Sequence, residues 1–437
     1  MRTLLVGHGA REAALATSIV RDSELFSLAR LQNPTLEALS SELRLVTAYS
    51  IPEVIEFAKA VRPDFVMIGP EEPLALGVVD ALEETGFWSC GPSRSASKLE
   101  WDKSFMRGFL SKHLPNMNLP YVIAQDERDV KSFFAAPPWL AAVKPIGLSG
   151  GKGVKVQGVN LGSNAEAIRY AQELIENSGN PVLLEQKVSA IEFTLHCLTD
   201  GKHTSFFSAT YDYSYREVAD SGPQTGGMGS YCVTTPNLPF LKPSEYYRCC
   251  DTLRAVIRAL RQEGIEYKGV LQGQFFFSQE GFKICEFACR FGDPEATNLI
   301  PLLAPSWSEV MGAIKNGELK DGQLEALPLA SVTVCLVPPG YPSASDTNPA
   351  FYIPAKLLEE KRVTFFPGGC ERTADGYRCL GGRAGAITSQ SGDLESARTP
   401  LKEILAGIDG VQYRADVAAD NDIKQKTELA ESFRRAV

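Results

Sequence analysis

Along the first hundred residues, apolar runs of strand length alternate with stretches of helical period. Thr3–Val6 and Phe65–Gly69 read as strands, while Arg11–Val20 and Leu74–Glu84 repeat their apolar positions every three to four residues. This alternation predicts a parallel sheet with helical crossovers, a Rossmann-like α/β domain over residues 1–100. The Gly69-Pro70 and Gly91-Pro92 pairs end strands at the sheet edge where ligands usually sit.

The middle of the chain changes pattern. Trp101–Leu114, Asn164–Asn177 and Arg248–Arg261 have helical spacing, and strands are predicted near Leu140–Lys144, Val154–Val156, Val182–Glu185 and Phe193–Leu198. Gly269–Phe277 and Phe282–Arg290 read as two facing strands joined by a short Ser-Gln-Glu-Gly turn. The second alternates strictly, with Cys285, Phe287 and Cys289 on one face and Ile284, Glu286, Ala288 and Arg290 on the other. A proline-rich stretch, Pro338–Pro349, marks the way into a small β-rich C-terminal domain.

Composition narrows the picture. At 437 residues the chain is too long for one ordinary core, and two to four domains are expected. A formal charge of −9 argues against binding nucleic acid or a membrane surface, while leaving room for a small phosphorylated substrate. No apolar run approaches a bilayer span, and the N-terminus reads as a strand rather than a signal peptide, so a cytoplasmic protein is expected. The ten cysteines include no CxxC and read as buried thiols, and four histidines without metal-like spacing argue against structural zinc.

Four stretches carry candidate chemistry. Gly7-His8-Gly9-Ala10-Arg11-Glu12 follows a strand and opens a helix, so its amides either approach a phosphate or simply make a tight turn. Leu140–Val156 delivers Lys144 from a strand into Ser149-Gly150-Gly151-Lys152-Gly153, a hairpin able to close over nucleotide phosphates, or a glycine hairpin with no ligand. Gly222-Pro223-Gln224-Thr225-Gly226-Gly227-Met228-Gly229 is either an anion-contacting loop or a surface loop. Glu286 and Arg290 precede Phe291-Gly292-Asp293-Pro294-Glu295, and with Gln272 and Gln274 they suit an oxygen-ligated Mg²⁺ or an ordinary ion pair.

Seven ordered stretches carry a family resemblance: GHGAREAAL, IGPEEPLALGVVDAL, EWDKSFMRGFL, VKPIGLSGGKGVKV, GPQTGGMGSY, EFACRFGDPE and GGRAGAI. In this order they resemble the phosphoribosylamine–glycine ligases of the ATP-grasp superfamily, in their archaeal-like branch. The resemblance spans nearly the whole chain. It implies an α/β and α+β multidomain fold: an N-terminal domain 1–100, an ATP-grasp module 101–327 with a lid at about 118–188, and a C-terminal domain 328–437.

By the same resemblance, Lys103 and Lys144 would contact ATP phosphates beneath the Ser149–Gly153 hairpin. Glu185, Lys187 and Val188 would line the adenine pocket and Glu192 would hold the ribose. Gln274 and Glu286 would bind Mg²⁺ or Mn²⁺. Arg290, with Lys144 and Asp212 as catalytic groups, would face the acyl phosphate, next to Gly222, Pro223, Thr225, Gly226, Gly227, Met228, Gly292 and Asp293. Gly7, Gly9, Arg11, Glu71 and Pro73 would face phosphoribosylamine.

The implied reaction joins glycine to phosphoribosylamine through an acyl phosphate, with small-molecule partners only and a monomer or homodimer as the working unit. Three positions depart from the family pattern. The histidine of GREHA is absent at Arg11-Glu12-Ala13-Ala14, DHKR becomes Asp212-Tyr213-Ser214-Tyr215, and the asparagine of EFN becomes Ala288. A ligase for another acid and amine, or a nucleotide-binding relative without catalysis, therefore stays open.

Overall fold

The computed structural model describes residues 1–135, 139–148, 153–343 and 348–435. Its N-terminal sheet is fully parallel, in the order Ser40–Leu45, Glu24–Ala29, Arg2–Val6, Phe65–Ile68, Ser89–Cys90. Arg2–Val6 therefore sits where the chain switches from building leftward to building rightward. The loops leaving it and Phe65–Ile68 open side by side, and such a switch point is where open α/β sheets bind ligands. The predicted helix Leu74–Glu84 is two helices, Glu71–Leu76 and Val78–Glu84, because Gly77 adopts a left-handed conformation (φ 86°) between them.

The first glycine loop is built around a side chain. Glu12, 1% exposed, turns back so that its carboxylate accepts the Gly9 N–H at 2.5 Å and the Arg11 Nε–H at 2.6 Å. Gly7 and Gly69 are glycines because Glu12 lies against them: a Cβ on Gly69 would stand 2.0 Å from Glu12 Oε1. Of the amides in this loop, that of Gly9 is therefore taken by an internal carboxylate.

The middle region holds two antiparallel sheets. Thr204–Phe206, Ile191–Thr199, Gly269–Ser278 and Gly281–Ala288 form one, and Tyr121–Ala124, Val182–Gln186, Ala141–Pro145 and Lys155–Val156 form the other. The second sheet packs the helices Glu127–Ala135 and Asn164–Ser178 around a core of its own. The predicted helix Trp101–Leu114 breaks at Asp102, whose side chain caps the helix Lys103–His113 through the Ser104 and Phe105 amides.

Toward the C-terminus, Ala330–Leu336 pairs with Gly385–Ser391 on one side and with Gly229–Cys232 on the other, so the last sheet takes strands from both regions. The helices Leu394–Leu405 and Asp420–Arg435 complete it. Asn33 fastens this part to the first domain, donating to the carbonyls of His8 at 2.9 Å and Pro367 at 2.7 Å. Among the described residues no helix is long and apolar enough to cross a membrane, and all ten cysteines are buried free thiols.

Because Glu12 is held by the Gly9 amide and Arg11, it has no room to yield. Gly69→Ala should destabilise the protein by about 1–3 kcal/mol. Gly108→Ala, whose Cβ meets nothing within 4 Å on an exposed helical face, should stabilise it by about 0.5–1 kcal/mol. Urea unfolding of the two variants checks both signs.

Candidate active site

Between the two middle sheets, the first domain and the C-terminal sheet lies a cleft of about 510 Å³. One wall is the strand pair Gly269–Ser278 and Gly281–Ala288. Strict alternation does not hold there: Gln274 faces Glu286, but Phe275 already faces Ile284, so Cys285 is an extra residue in a bulge. The predicted face is corrected accordingly. Ile284 turns into the core at 0% exposure while Cys285 and Glu286 line the cleft.

The bulge has a second consequence. The carbonyls of Ile284 and Cys285 both accept from the guanidinium of Arg107, at 3.0 and 2.8 Å. Arg107 is fully buried and also donates to Asn118 Oδ1 at 3.0 Å and, through Nε, to Glu185 Oε1 at 2.6 Å. The other Glu185 oxygen pairs with Lys144 Nζ at 2.8 Å. Burial alone would raise the Glu185 pKa, but Arg107 and then Lys144 hold it down at about 2. Burial pulls the Lys144 ammonium toward neutrality and Glu185 outweighs it, so Lys144 stays charged. Both Glu185 oxygens are thus committed to cations, and its side chain anchors Lys144.

Lys103, at the first turn of its helix, donates to the Gly147 carbonyl at 3.0 Å. Lys144, Lys103, Glu185, Lys187, Val188 and Glu192 all line the cleft, along an apolar wall that includes Leu148, Val156 and Phe276. Ser149, Gly150, Gly151 and Lys152 lie outside the described residues, and Gly153 stands behind the wall, its carbonyl accepting from the Tyr170 hydroxyl at 2.8 Å.

Gln274 donates its amide N–H to Glu192 at 3.0 Å. Glu286 is exposed into the cleft and makes no hydrogen bond or ion pair among the described residues. A free carboxylate beside an amide oxygen is the donor chemistry a hard divalent cation takes. Ala288 contributes no donor, and no three His, Cys, Asp or Glu side chains among the described residues converge on one point. The residues present fit a cation shared with a ligand and water.

At the other end, Arg290 pairs with two carboxylates, Glu100 at 3.0 Å and Glu71 at 3.3 Å. One guanidinium cannot satisfy both equally. Burial pushes the Glu100 pKa up to about 7 against the pull of Arg290. For the less enclosed Glu71, Arg290 and then Arg11 outweigh burial and hold the pKa below the usual value. Asp293 pairs with Arg383 at 2.8 Å, and Arg383 also donates to the carbonyls of Gly226 and Gly227.

Asp212 is half-buried beside the buried Glu295. Burial and then Glu295 push the Asp212 pKa well above the carboxylate range, and Asp212 Oδ1 has no hydrogen-bond partner. Glu295 is engaged by Gln272 at 3.0 Å and Thr194 at 3.3 Å. His196 is a packing group: its Nε2 accepts the Gly292 N–H at 3.0 Å, and burial lowers its pKa to about 3.

Of the residues assigned from sequence, Arg11, Glu71, Asp212, Thr225, Gly226, Gln274, Glu286, Arg290, Gly292 and Asp293 also line this cleft. Gly7, Gly9 and Pro73 do not. Gly222 and Pro223 sit on an exposed arm, Tyr215–Glu217 paired with Ser221–Gln224. Gly227 lies behind the lining, and the Met228 side chain is in the core at 0% exposure with its amide donating to the Tyr213 carbonyl. The structure adds Arg107, Glu100, Glu295 and Arg383. Each stands inside a stretch already singled out, and Arg107 carried a usable signal: an arginine between Met106 and Leu110 on an apolar helix face needs buried partners.

Family models match residues 1–296: phosphoribosylglycinamide synthetase, N domain, over residues 1–100, and its ATP-grasp (A) domain over residues 101–296. The chain belongs to the phosphoribosylglycinamide synthetase family. It is similar to the phosphoribosylamine–glycine ligase of Thermococcus gammatolerans, 38% identical over 99% of this chain and 98% of that one. The Methanocaldococcus jannaschii ligase of the same name is 36% identical over the full length of both.

Among solved structures, the Thermotoga maritima phosphoribosylamine–glycine ligase superposes with a TM-score of 0.78 at 22% identity, over 95% of this chain and 100% of that one. The biotin carboxylase domain of Hydrogenobacter thermophilus 2-oxoglutarate carboxylase gives 0.72 at 14%, over 100% and 98%. These two likenesses speak for the fold. ATP-grasp enzymes as a class use ATP with divalent metal ions.

The burial of Glu100 sets a pH dependence. A carboxyl group with a folded pKa of about 7 and an ordinary value of 4.5 binds its proton more tightly when folded. Its contribution is complete below pH 4.5 and is lost as pH rises toward 7. Replacing Glu100 by Gln should flatten that part of the stability profile, so the difference in melting temperature between parent and Glu100→Gln should shift in the variant's favour from pH 4.5 to 7.5. Thermal unfolding across that range checks it.

Proposed function

We propose that this chain uses ATP to join glycine to phosphoribosylamine, forming glycinamide ribonucleotide for purine biosynthesis. The observation that carries the reading is the pairing, across one cleft, of two held lysines with a free Gln274–Glu286 oxygen pair, in a chain that matches the family along its whole length.

Carboxylates are poor electrophiles, so the glycine carboxylate first attacks the γ-phosphorus of ATP and ADP leaves. The amine of phosphoribosylamine then attacks the acyl carbon, phosphate departs, and the nitrogen sheds a proton. The chain's part is positioning and charge neutralisation. Lys144, fixed by Glu185, and Lys103, fixed by the Gly147 carbonyl, meet the transferring phosphoryl group. A divalent ion, Mg²⁺ or Mn²⁺, would be held by Gln274 and Glu286 and would offset phosphate charge there. The apolar wall from Leu148 to Phe276 takes the base, with Lys187 and Val188 at its rim and Glu192 toward the ribose. Arg290 faces the acyl phosphate, and Asp212, whose Oδ1 has no hydrogen-bond partner, faces the amine.

One observation supports a second reading, a ligase for another acid–amine pair. Where family members carry histidine, lysine and arginine, Tyr213 turns away into the core while Ser214 and Tyr215 line the cleft, so the basic side chains have no replacements there.

ADP release with ATP and Mg²⁺ should require both glycine and freshly made phosphoribosylamine. Stimulation by a different acid or amine, and by neither of these, would move the assignment to the second reading. Glu286→Ala should lower turnover by roughly a hundredfold, about 2.7 kcal/mol of barrier. Ala288→Asn adds an oxygen donor and should lower the Mg²⁺ concentration that gives half-maximal rate. A Mg²⁺ titration of the three proteins reads both effects.

A further inference from the structure

The substituted stretch after Asp212 alternates in what it faces. Asp212, Ser214 and Tyr215 line the cleft, while Tyr211 and Tyr213 point the other way, 6% and 0% exposed. The buried pair meets the C-terminal segment. The Tyr213 hydroxyl donates to Asp422 Oδ2 at 2.7 Å and accepts the Ala418 N–H at 2.9 Å. Lys426, one helical turn beyond Asp422 and ion-paired with it, sets its ammonium 4.7 Å from the centre of the Tyr211 ring and 5.6 Å from that of Tyr213. The Arg414 guanidinium lies 4.7 Å from the Tyr213 ring.

The same two cations reach the arm that leads to the glycine loop. Asp220, at its tip, pairs with Arg414 at 2.8 Å and with Lys426 at 3.5 Å. Arg414 also donates to the Tyr215 carbonyl at 3.0 Å, and Asp416 accepts the Ala219 N–H at 2.9 Å. Ala219 and Asp220 are both left-handed, with φ of 56° and 51°. Two consecutive non-glycine residues in that region persist only where their surroundings hold them, and here Arg414, Asp416 and Lys426 do so. Beyond the arm, Thr225 returns to the Ser214 carbonyl, its N–H at 2.7 Å and its hydroxyl at 3.0 Å. Between Asp212 and Gly226, Tyr213, Tyr215, Ala219 and Asp220 are thus each held by residues 414–426, while Arg383 holds the far side of the turn through the Gly226 and Gly227 carbonyls.

We propose that Arg414, Asp422 and Lys426 are positioning residues of the cleft, holding Asp212 and the Thr225–Gly226 turn in place through Tyr213 and Asp220. None of the three lines the cleft. Loss of the network loosens the acceptor end and leaves the Lys144 end, built on other strands, as it was. The kinetic side of this proposal rests on the ligase reading of the cleft; the mechanical side does not.

The test uses the full chain with Tyr213→Phe, Asp422→Asn and, as a control, Lys424→Ala on the solvent side of the same helix, where Lys424 is 75% exposed. Two readouts are taken. Hydrogen exchange of the Thr225 and Met228 amides should rise about tenfold in the first two variants, while the amides of the strands Val182–Gln186 and Ala141–Pro145 and calorimetric ATP affinity stay within twofold of the parent. The kcat for substrate-dependent ADP release should fall about tenfold, and Lys424→Ala should move neither. Exchange at Thr225 and Met228 unchanged in both variants would overturn the proposal. So would a general loss of protection with kcat intact, which is the mark of a purely structural role. Faster local exchange in a chain that shows no ligase turnover would uphold the positioning network and contradict the ligase reading instead.

Discussion

A carboxylate only 1% exposed, Glu185, holds Arg107 on one oxygen and Lys144 on the other. Removing three charges from solvent is expensive, and the arrangement persists because each is paired and Arg107 spends its remaining donors on Asn118 and the bulge carbonyls. The group ties together the helix Lys103–His113, the strands Val182–Gln186 and Ala141–Pro145 and the bulged strand Gly281–Ala288. It also carries two positive charges against one negative, and the surplus faces the cleft on Lys144. An anionic ligand beside Lys144 completes the balance, which is why this end of the cleft suits a polyphosphate.

At the acceptor end the cations are shared among acids: Arg290 pairs with Glu71 and Glu100, and Arg383 with Asp293. Arg290 joins the first domain to the bulged strand through Glu71, and Arg383 joins the C-terminal sheet to the loop at Gly226 and to Asp293. Each domain thus lends the cleft a charged side chain whose partner belongs to another domain. A phosphoryl donor at one end and an amine at the other is the polarity that carboxylate–amine ligation needs.

Much of this was legible from residue order, and the reasons for the rest are physical. The parallel first sheet followed from strand–helix alternation, and the strand pair at residues 269–290 from period-two patterning. The bulge at Cys285 was not, because an inserted residue leaves the local pattern of apolar and polar letters unchanged and shifts only the pairing. Glu185 was placed at the adenine pocket by resemblance; its commitment to Arg107, 78 positions away, depends on two elements meeting in space. Glu12 explains why Gly7 and Gly69 are glycines, yet a glycine loop before a helix reads equally well as a phosphate cradle. Tyr213 showed as a departure from the family, and only the C-terminal helix packed beneath it explains what it does.

The central claim is that Lys144 reaches the nucleotide because Glu185 holds it there. A double-mutant cycle on ATP affinity by calorimetry tests this most directly, with Glu185→Gln, Lys144→Met and the combination, each checked for folding by circular dichroism. Glu185→Gln should weaken ATP binding by about tenfold, about 1.4 kcal/mol, and should have little further effect once Lys144 is already Met. Independent, additive losses, or an unchanged affinity in a folded Glu185→Gln protein, would contradict the account.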